Sequence, residues 1–248
     1  MAGIKFENDG DNHWVPDQEH EDIKTIAESM YWYSPKFSPK DVPKFYDVSG
    51  ISENPKIFQL VVNLFVQRYK AAPEGTGPTH IIGYDARGFI IGAPIALALG
   101  IPFVLLRKEG KNPGVVVNSE GYRKEYDEGK PETLCLRLGS VDKNSRVVLI
   151  DDLIATGGTA VAGFELVEAL GGKVYEFAAC ICLPFLDGVK KIRAACDGKF
   201  KDVPVFTLVK DTTVPDAACG DPRVWVFVTT FDSVCKRLVV RAGGGLAC

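Results

Sequence analysis

The chain has 248 residues, 46% of them hydrophobic and 25% charged, with a formal net charge of −3. That composition fits one soluble globular domain with appendages and excludes a general electrostatic footprint for nucleic acid or for an anionic membrane, so any phosphate must be bound locally. Seven scattered cysteines, an odd number, argue for reduced thiols and against a disulfide framework.

Residues 1–30 hold eight acidic and two basic side chains, with a helix expected to begin near Glu21. They read as an N-terminal extension lacking the basic-then-apolar pattern of a secretion signal, and the expected location is cytoplasmic. Residues 31–50 carry three prolines and six aromatics, which rules out a regular helix and predicts an ordered aromatic loop. Such a segment can close over a flat ring or simply pack on the core. Residues 54–69 have the apolar spacing of an amphipathic helix. After a turn at 73–78, residues 80–84 form a predicted strand, and Asp85-Ala86-Arg87-Gly88-Phe89 opens the next helix at its carboxyl end. The longest uncharged span, 89–106, is broken by Gly92, Pro94, Gly100 and Pro102, so it reads as a buried helix followed by a strand from Ile101, not as a membrane span.

Residues 107–130 are polar and rich in Gly, Lys and Glu, with an apolar patch at 115–117. A connection of that length is usually functional or disordered. Further strands are predicted at 132–138, 146–150, 174–183 and 205–208. From about Thr212 the chain becomes Pro-, Gly- and Asp-rich, then resumes apolar runs at 224–228 and 233–240, and we read 211–248 as a C-terminal extension. Strands alternating with helices predict an α/β fold with a central, mainly parallel sheet flanked by helices.

Residues 146–159, Arg-Val-Val-Leu-Ile-Asp-Asp-Leu-Ile-Ala-Thr-Gly-Gly-Thr, carry the most chemistry. The apolar run suits a parallel strand buried on both faces, and Asp151 and Asp152 fall at its carboxyl end, where open α/β sheets bind ligands. Gly157 and Gly158 allow a tight turn that bares N–H groups, while Thr156 and Thr159 add hydroxyl donors. Helical spacing over 160–170 would put a phosphate held by this loop against a helix N-terminus. The carboxylates suit vicinal ribose hydroxyls, or a Mg²⁺ ion approached through water. A P-loop is excluded because no Gly-Lys-Ser/Thr follows the glycines.

This segment resembles the phosphoribosyl-pyrophosphate (PRPP) motif of the type I phosphoribosyltransferases, and its wording resembles the adenine-specific branch. The resemblance covers roughly residues 31–210 and implies that family's fold, with a small hood at 31–50, a core at 51–210 containing a mobile loop at 107–130, and a C-terminal extension. It assigns PRPP to Asp151, Asp152, Ala155, Thr156, Gly157, Gly158 and Thr159. Asp85-Ala86-Arg87-Gly88-Phe89 resembles the family's Asp-Ser-Arg-Gly-Phe, which places Arg87 at the pyrophosphate end. Residues 106–114 match its Arg-Lys, Gly-Lys, Pro-Gly pattern. By that match Arg107, Lys108 and Lys111 neutralise the leaving pyrophosphate, reach the neighbouring subunit's pocket and make a homodimer the working unit. Glu125 and Tyr126 match the Glu-Tyr of the mobile catalytic loop, where Glu125 would handle the purine proton and Tyr126 would help close the site.

Residues 42–49 resemble the hood loop, implying that Phe45 stacks on adenine, that the backbone around Lys44 and Tyr46 reads its edge, and that Leu153 packs on its other face. Tyr46 departs from an arginine found there in many shorter members. Trp-Tyr-Ser-Pro and Val-Pro-Lys-Phe look more like the longer protozoan-parasite members. The implied reaction is purine salvage, adenine plus PRPP giving AMP and pyrophosphate, with Mg²⁺ held mainly by PRPP and within reach of Asp151 and Asp152 through water. Two alternatives stay open. Another base, hypoxanthine or guanine, could be used, since PRPP motifs do not set base choice. A non-catalytic DNA-binding regulator would want a basic region ahead of the fold, where residues 1–30 are acidic; no nucleic-acid or membrane partner is expected.

Overall fold

The computed structural model of the chain describes residues 4–35, 42–119 and 132–216. Short acidic segments open it as β1 (Phe6–Asn8), β2 (His13–Pro16) and α1 (Glu21–Glu28), followed by β3 (Tyr31–Tyr33), β4 (Phe45–Asp47) and α2 (Ser49–Glu53). The amphipathic segment forms α3 (Pro55–Lys70), and Asn54 caps it by accepting hydrogen bonds from the Lys56 and Ile57 N–H groups. Next come β5 (His80–Tyr84), α4 (Arg87–Leu99), β6 (Phe103–Lys108), β7 (Val116–Asn118), β8 (Leu134–Arg137) and β9 (Arg146–Ile150). The core closes with β10 (Leu153–Ile154), α5 (Gly158–Ala169), β11 (Lys173–Cys182), α6 (Gly188–Gly198) and β12 (Val205–Lys210).

Ten strands form one sheet in the order β1-β2-β12-β11-β9-β5-β6-β8-β7, with β10 added to β11. From β2 to β6 the neighbours are parallel, while β1, β7 and β8 are antiparallel additions at the two edges. This is the mainly parallel sheet expected from alternating strands and helices. Strand alternation sends Val148 and Ile150 into a core shared with Ile23, Val61 and Ile91 of α1, α3 and α4. Val147 and Leu149 enter a second core with Phe164 and Ile192 of α5 and α6. Helices thus cover both faces of β9, and all four residues are fully buried.

The chain leaves β5 through α4 toward β6 and leaves β9 through α5 toward β11, in opposite directions along the sheet. Since β5 and β9 are parallel neighbours (Gly83 opposite Ile150), the strand order reverses between them. Crevices at the carboxyl ends of such strands are where α/β sheets take ligands.

Two stretches differ from expectation. The aromatic segment is not only loop: β3 and β4 pair antiparallel, Trp32 opposite Tyr46, as a separate two-stranded sheet. Alternating aromatic residues favour strands, and the prolines lie outside the paired residues. The N-terminal residues also enter the main sheet, with β2 parallel to β12. They are turned by Gly10, Asp11 and Asn12, all at positive φ. Arg68 of α3 anchors them: its guanidinium lies 4.2 Å over the Phe206 ring and 5.5 Å from that of Phe6, and it is bidentate to buried Glu176 of β11.

Candidate functional site

Glycines let two helices begin directly over the carboxyl ends of β5 and β9. A Cβ at Gly88 would lie 2.4 Å from the Ile150 carbonyl oxygen, so only glycine lets the first turn of α4 rest on the end of β9. That approach brings Arg87 to Asp152, with the guanidinium 2.8 Å from Oδ2 of the carboxylate. Gly157 has φ of +83° and opens α5, and a Cβ there would meet the Gly188 carbonyl oxygen at 2.6 Å. Among the described residues no side chain caps α5, so the dipole of this helix faces the crevice without a competing carboxylate cap from them.

Asp151 and Asp152 interrupt a strand. Ile150 pairs with Ala178 and Leu153 with Ile181, both on β11, and the two aspartates bridge between them. Their backbone is held by Asp151 N–H donating to Ala178 O and by Cys180 N–H donating to Asp152 O, each at 3.0 Å. Burial, and then the adjoining Asp152 carboxylate, push the Asp151 carboxyl well above the usual carboxylate range. Ionising Asp151 is therefore costly at this strand end, and hydroxyl donors from a ligand would favour its carboxylate form.

A cavity of about 300 Å³ opens at this point. Asp151, Asp152, Ala155, Thr156, Gly157 and Thr159 line one side, with Leu153 beside them, Arg87 from the start of α4 and Lys108 from the end of β6. Its cations are matched by carboxylates: Lys108 sits 2.8 Å from Glu132, and Lys111 sits 3.0 Å from Asp85 Oδ2, with Arg107 at 3.8 Å from the same atom. Such partly exposed pairs are worth only about 0–1 kcal/mol each, so a polyphosphate can displace them at little cost. Asp85 and Glu132 both line the cavity and were not singled out from the sequence. Asp85 opens the quoted arginine-glycine motif and could have been; Glu132 gave no local signal.

Gly158 starts α5 and is absent from the lining, as are Arg107 and Lys111, which reach the rim through Asp85. The hood residues also lie off the cavity wall. Lys44 Nζ stands 5.1 Å over the Trp32 ring, Phe45 is half-buried, and Tyr46 is 1% exposed with its hydroxyl donating to Asp211 Oδ1. Glu125 and Tyr126 lie outside the described residues. Among the described residues no group of three or more His, Cys, Asp or Glu side chains could hold a metal ion, and no helix is long and apolar enough to cross a membrane.

Residues 47–214 match the phosphoribosyl transferase domain family. The chain is 44% identical over 156 residues to the adenine phosphoribosyltransferase of Pasteurella multocida, covering 63% of this chain and 82% of that protein. Two solved structures superpose with a TM-score of 0.81 over 88% of this chain. One is the Trypanosoma brucei adenine phosphoribosyltransferase in complex with AMP, pyrophosphate and ribose-5-phosphate, 43% identical and covered to 92%. The other is the Leishmania donovani adenine phosphoribosyltransferase, 44% identical and covered to 91%.

Proposed function

The chain belongs to the phosphoribosyltransferase family, and from that premise we propose that it transfers the 5-phosphoribosyl group of PRPP to adenine, yielding AMP and pyrophosphate in purine salvage. The observation that carries this reading is one cavity at the strand-order reversal that holds paired carboxylates, an uncapped glycine loop and cations in a single crevice. Preference for adenine rests on the 43–44% identity to the two solved adenine enzymes over most of the chain.

Asp151 and Asp152 accept hydrogen bonds from the two ribose hydroxyls and fix the sugar. Residues 155–159 wrap the 5′-phosphate with backbone N–H groups and the threonine hydroxyls at the start of α5. Arg87 and Lys108 exchange their carboxylate partners for the pyrophosphate and stabilise charge as it leaves the anomeric carbon. Phe45 and Leu153 sandwich the base, with the backbone around Lys44 and Tyr46 reading its edge, and N9 captures the cation-like carbon. Glu125 manages the purine proton while Tyr126 helps exclude water.

The residues present fit a Mg²⁺ ion that arrives on PRPP. Two adjoining carboxylates, one engaged by Arg87, are too few for a protein cage but suit an ion that keeps water and phosphate ligands. When bound, Mg²⁺ supplies positive charge to the pyrophosphate. We further place a homodimer as the working unit, supported by an exposed apolar strip on α4, where Ile90 is 48% and Leu97 83% exposed. Free Cys135, Cys180, Cys182 and Cys196 favour a reducing, cytoplasmic setting.

Incubation with PRPP, Mg²⁺ and adenine, hypoxanthine or guanine in parallel tests the reading. Nucleotide from adenine alone, strongly slowed by Glu125→Ala, is expected. Nucleotide from hypoxanthine or guanine instead would move the base assignment, and none from any base would overturn the transferase reading.

A further inference from the structure

We propose that the Tyr46–Asp211 contact is a positioning device that sets the hood, through Phe45, at its working height over the base, and that Gln18 of the N-terminal extension holds the Asp211 end of it. The proposal rests on the reading above that Phe45 stacks on the base.

β3 and β4 pair only with each other among the described residues, and an isolated two-stranded ribbon is marginal in water. Something outside the ribbon must hold it. Tyr46 does so by inserting into the core with 1% exposure, and its hydroxyl donates to Asp211 Oδ1. Packing alone would be served equally by phenylalanine, so the hydroxyl has a separate use: a charge-assisted bond that fixes direction as well as depth.

The acceptor is itself held from a third part of the chain. Asp211 begins the single 3₁₀ turn Asp211–Thr213 that follows β12. Gln18 Oε1 accepts from Lys210 N–H at 2.9 Å and from the Thr213 hydroxyl at 2.8 Å, while Gln18 Nε2 donates to Leu208 O at 3.1 Å and to Pro16 O at 2.9 Å. The residues on either side of Asp211 are thereby pinned to the segment just after β2. Successive side chains of a strand point to opposite faces, so Phe45 projects from β4 away from Tyr46. Fixing Tyr46 fixes the backbone that carries Phe45.

The test measures steady-state kinetics and amide hydrogen exchange on the full chain for wild type, Tyr46→Phe, Asp211→Ala, Asp211→Asn and Gln18→Ala. Loss of the hydroxyl or its acceptor should raise KM for adenine about fivefold, near the effect of one hydrogen bond, with KM for PRPP and kcat changed less than about twofold. Asp211→Asn keeps an acceptor without its charge and should raise adenine KM less than Asp211→Ala does, the Tyr46→Phe/Asp211→Ala double variant should be no worse than either single, and Gln18→Ala should move adenine KM in the same direction. Exchange at residues 45–47 should quicken in Tyr46→Phe while β9 and β11 stay unchanged. Unchanged adenine KM, or equal rises for adenine and PRPP, would overturn the proposal. If wild type used no base, the functional reading would fail and the positioning role with it. Exchange at 45–47 that Tyr46→Phe leaves unchanged would overturn the tether itself.

Discussion

Asp151 shows how one side chain can be costly to the fold and useful to ligand binding. Its carboxyl is raised in the folded state by burial and by Asp152, so between the ordinary carboxylate value and the raised one the folded chain holds a proton that the unfolded chain has lost. Stability falls as pH rises through that window. Asp151→Asn carries no such loss and should be more stable than wild type at neutral pH, by on the order of 1 kcal/mol or a few degrees in Tm. The gap should close as pH drops, while PRPP turnover stays impaired throughout. Thermal melts across pH measure this, and a variant less stable than wild type at neutral pH would contradict it. At this scale the sequence was informative where a motif is contiguous: the acidic pair and the Thr-Gly-Gly-Thr loop announce their chemistry in nine residues. Glu132 was not legible, because only the pairing of β6 with β8 brings it to Lys108.

At the level of elements, close approach decides where helices begin. Gly88→Ala would force a methyl group into the Ile150 carbonyl, lifting α4 and Arg87 away from Asp152. We expect a loss of about 1–3 kcal/mol, as for other overpacked sites, together with a raised KM for PRPP, read by denaturant melts and kinetics. The Arg68–Glu176 pair is the second case. Removing Glu176 alone leaves a largely buried guanidinium unpaired, and Glu176→Ala should cost about 3–5 kcal/mol, loosening β1 and β2 first in hydrogen exchange. The five-residue strands β5 and β9 were plain from their apolar runs, and the helix α3 from its periodicity. The three- and four-residue strands of the N-terminal extension and the hood were not, because so short a run offers too few alternations to read, and what holds them is tertiary: the Arg68 cluster and the Tyr46–Asp211 bond.

Across the whole molecule, Ile90, Ala93 and Leu97 follow helical spacing on the outer side of α4 and stay exposed, a face that the proposed homodimer would bury. Leu97→Glu should convert the dimer to monomer in sedimentation velocity with little effect on the monomer's melting temperature; a wild-type chain that sediments as a monomer would contradict the dimer. The α/β class was legible from the alternation of strands and helices, and the site's position from the acidic pair at a strand's carboxyl end; the strand order, and with it the reversal between β5 and β9, was not. That the outer face of α4 stays exposed was not legible either, since a free apolar helix face and a buried one look alike in sequence.

The most direct test of the central claim is AMP and pyrophosphate formation from adenine, PRPP and Mg²⁺, comparing wild type with the Asp151→Ala/Asp152→Ala double variant. The account predicts stoichiometric AMP and pyrophosphate from wild type and a loss of about 100-fold or more in kcat/KM for PRPP in the double variant. No AMP from wild type, or equal rates in the two proteins, would contradict it.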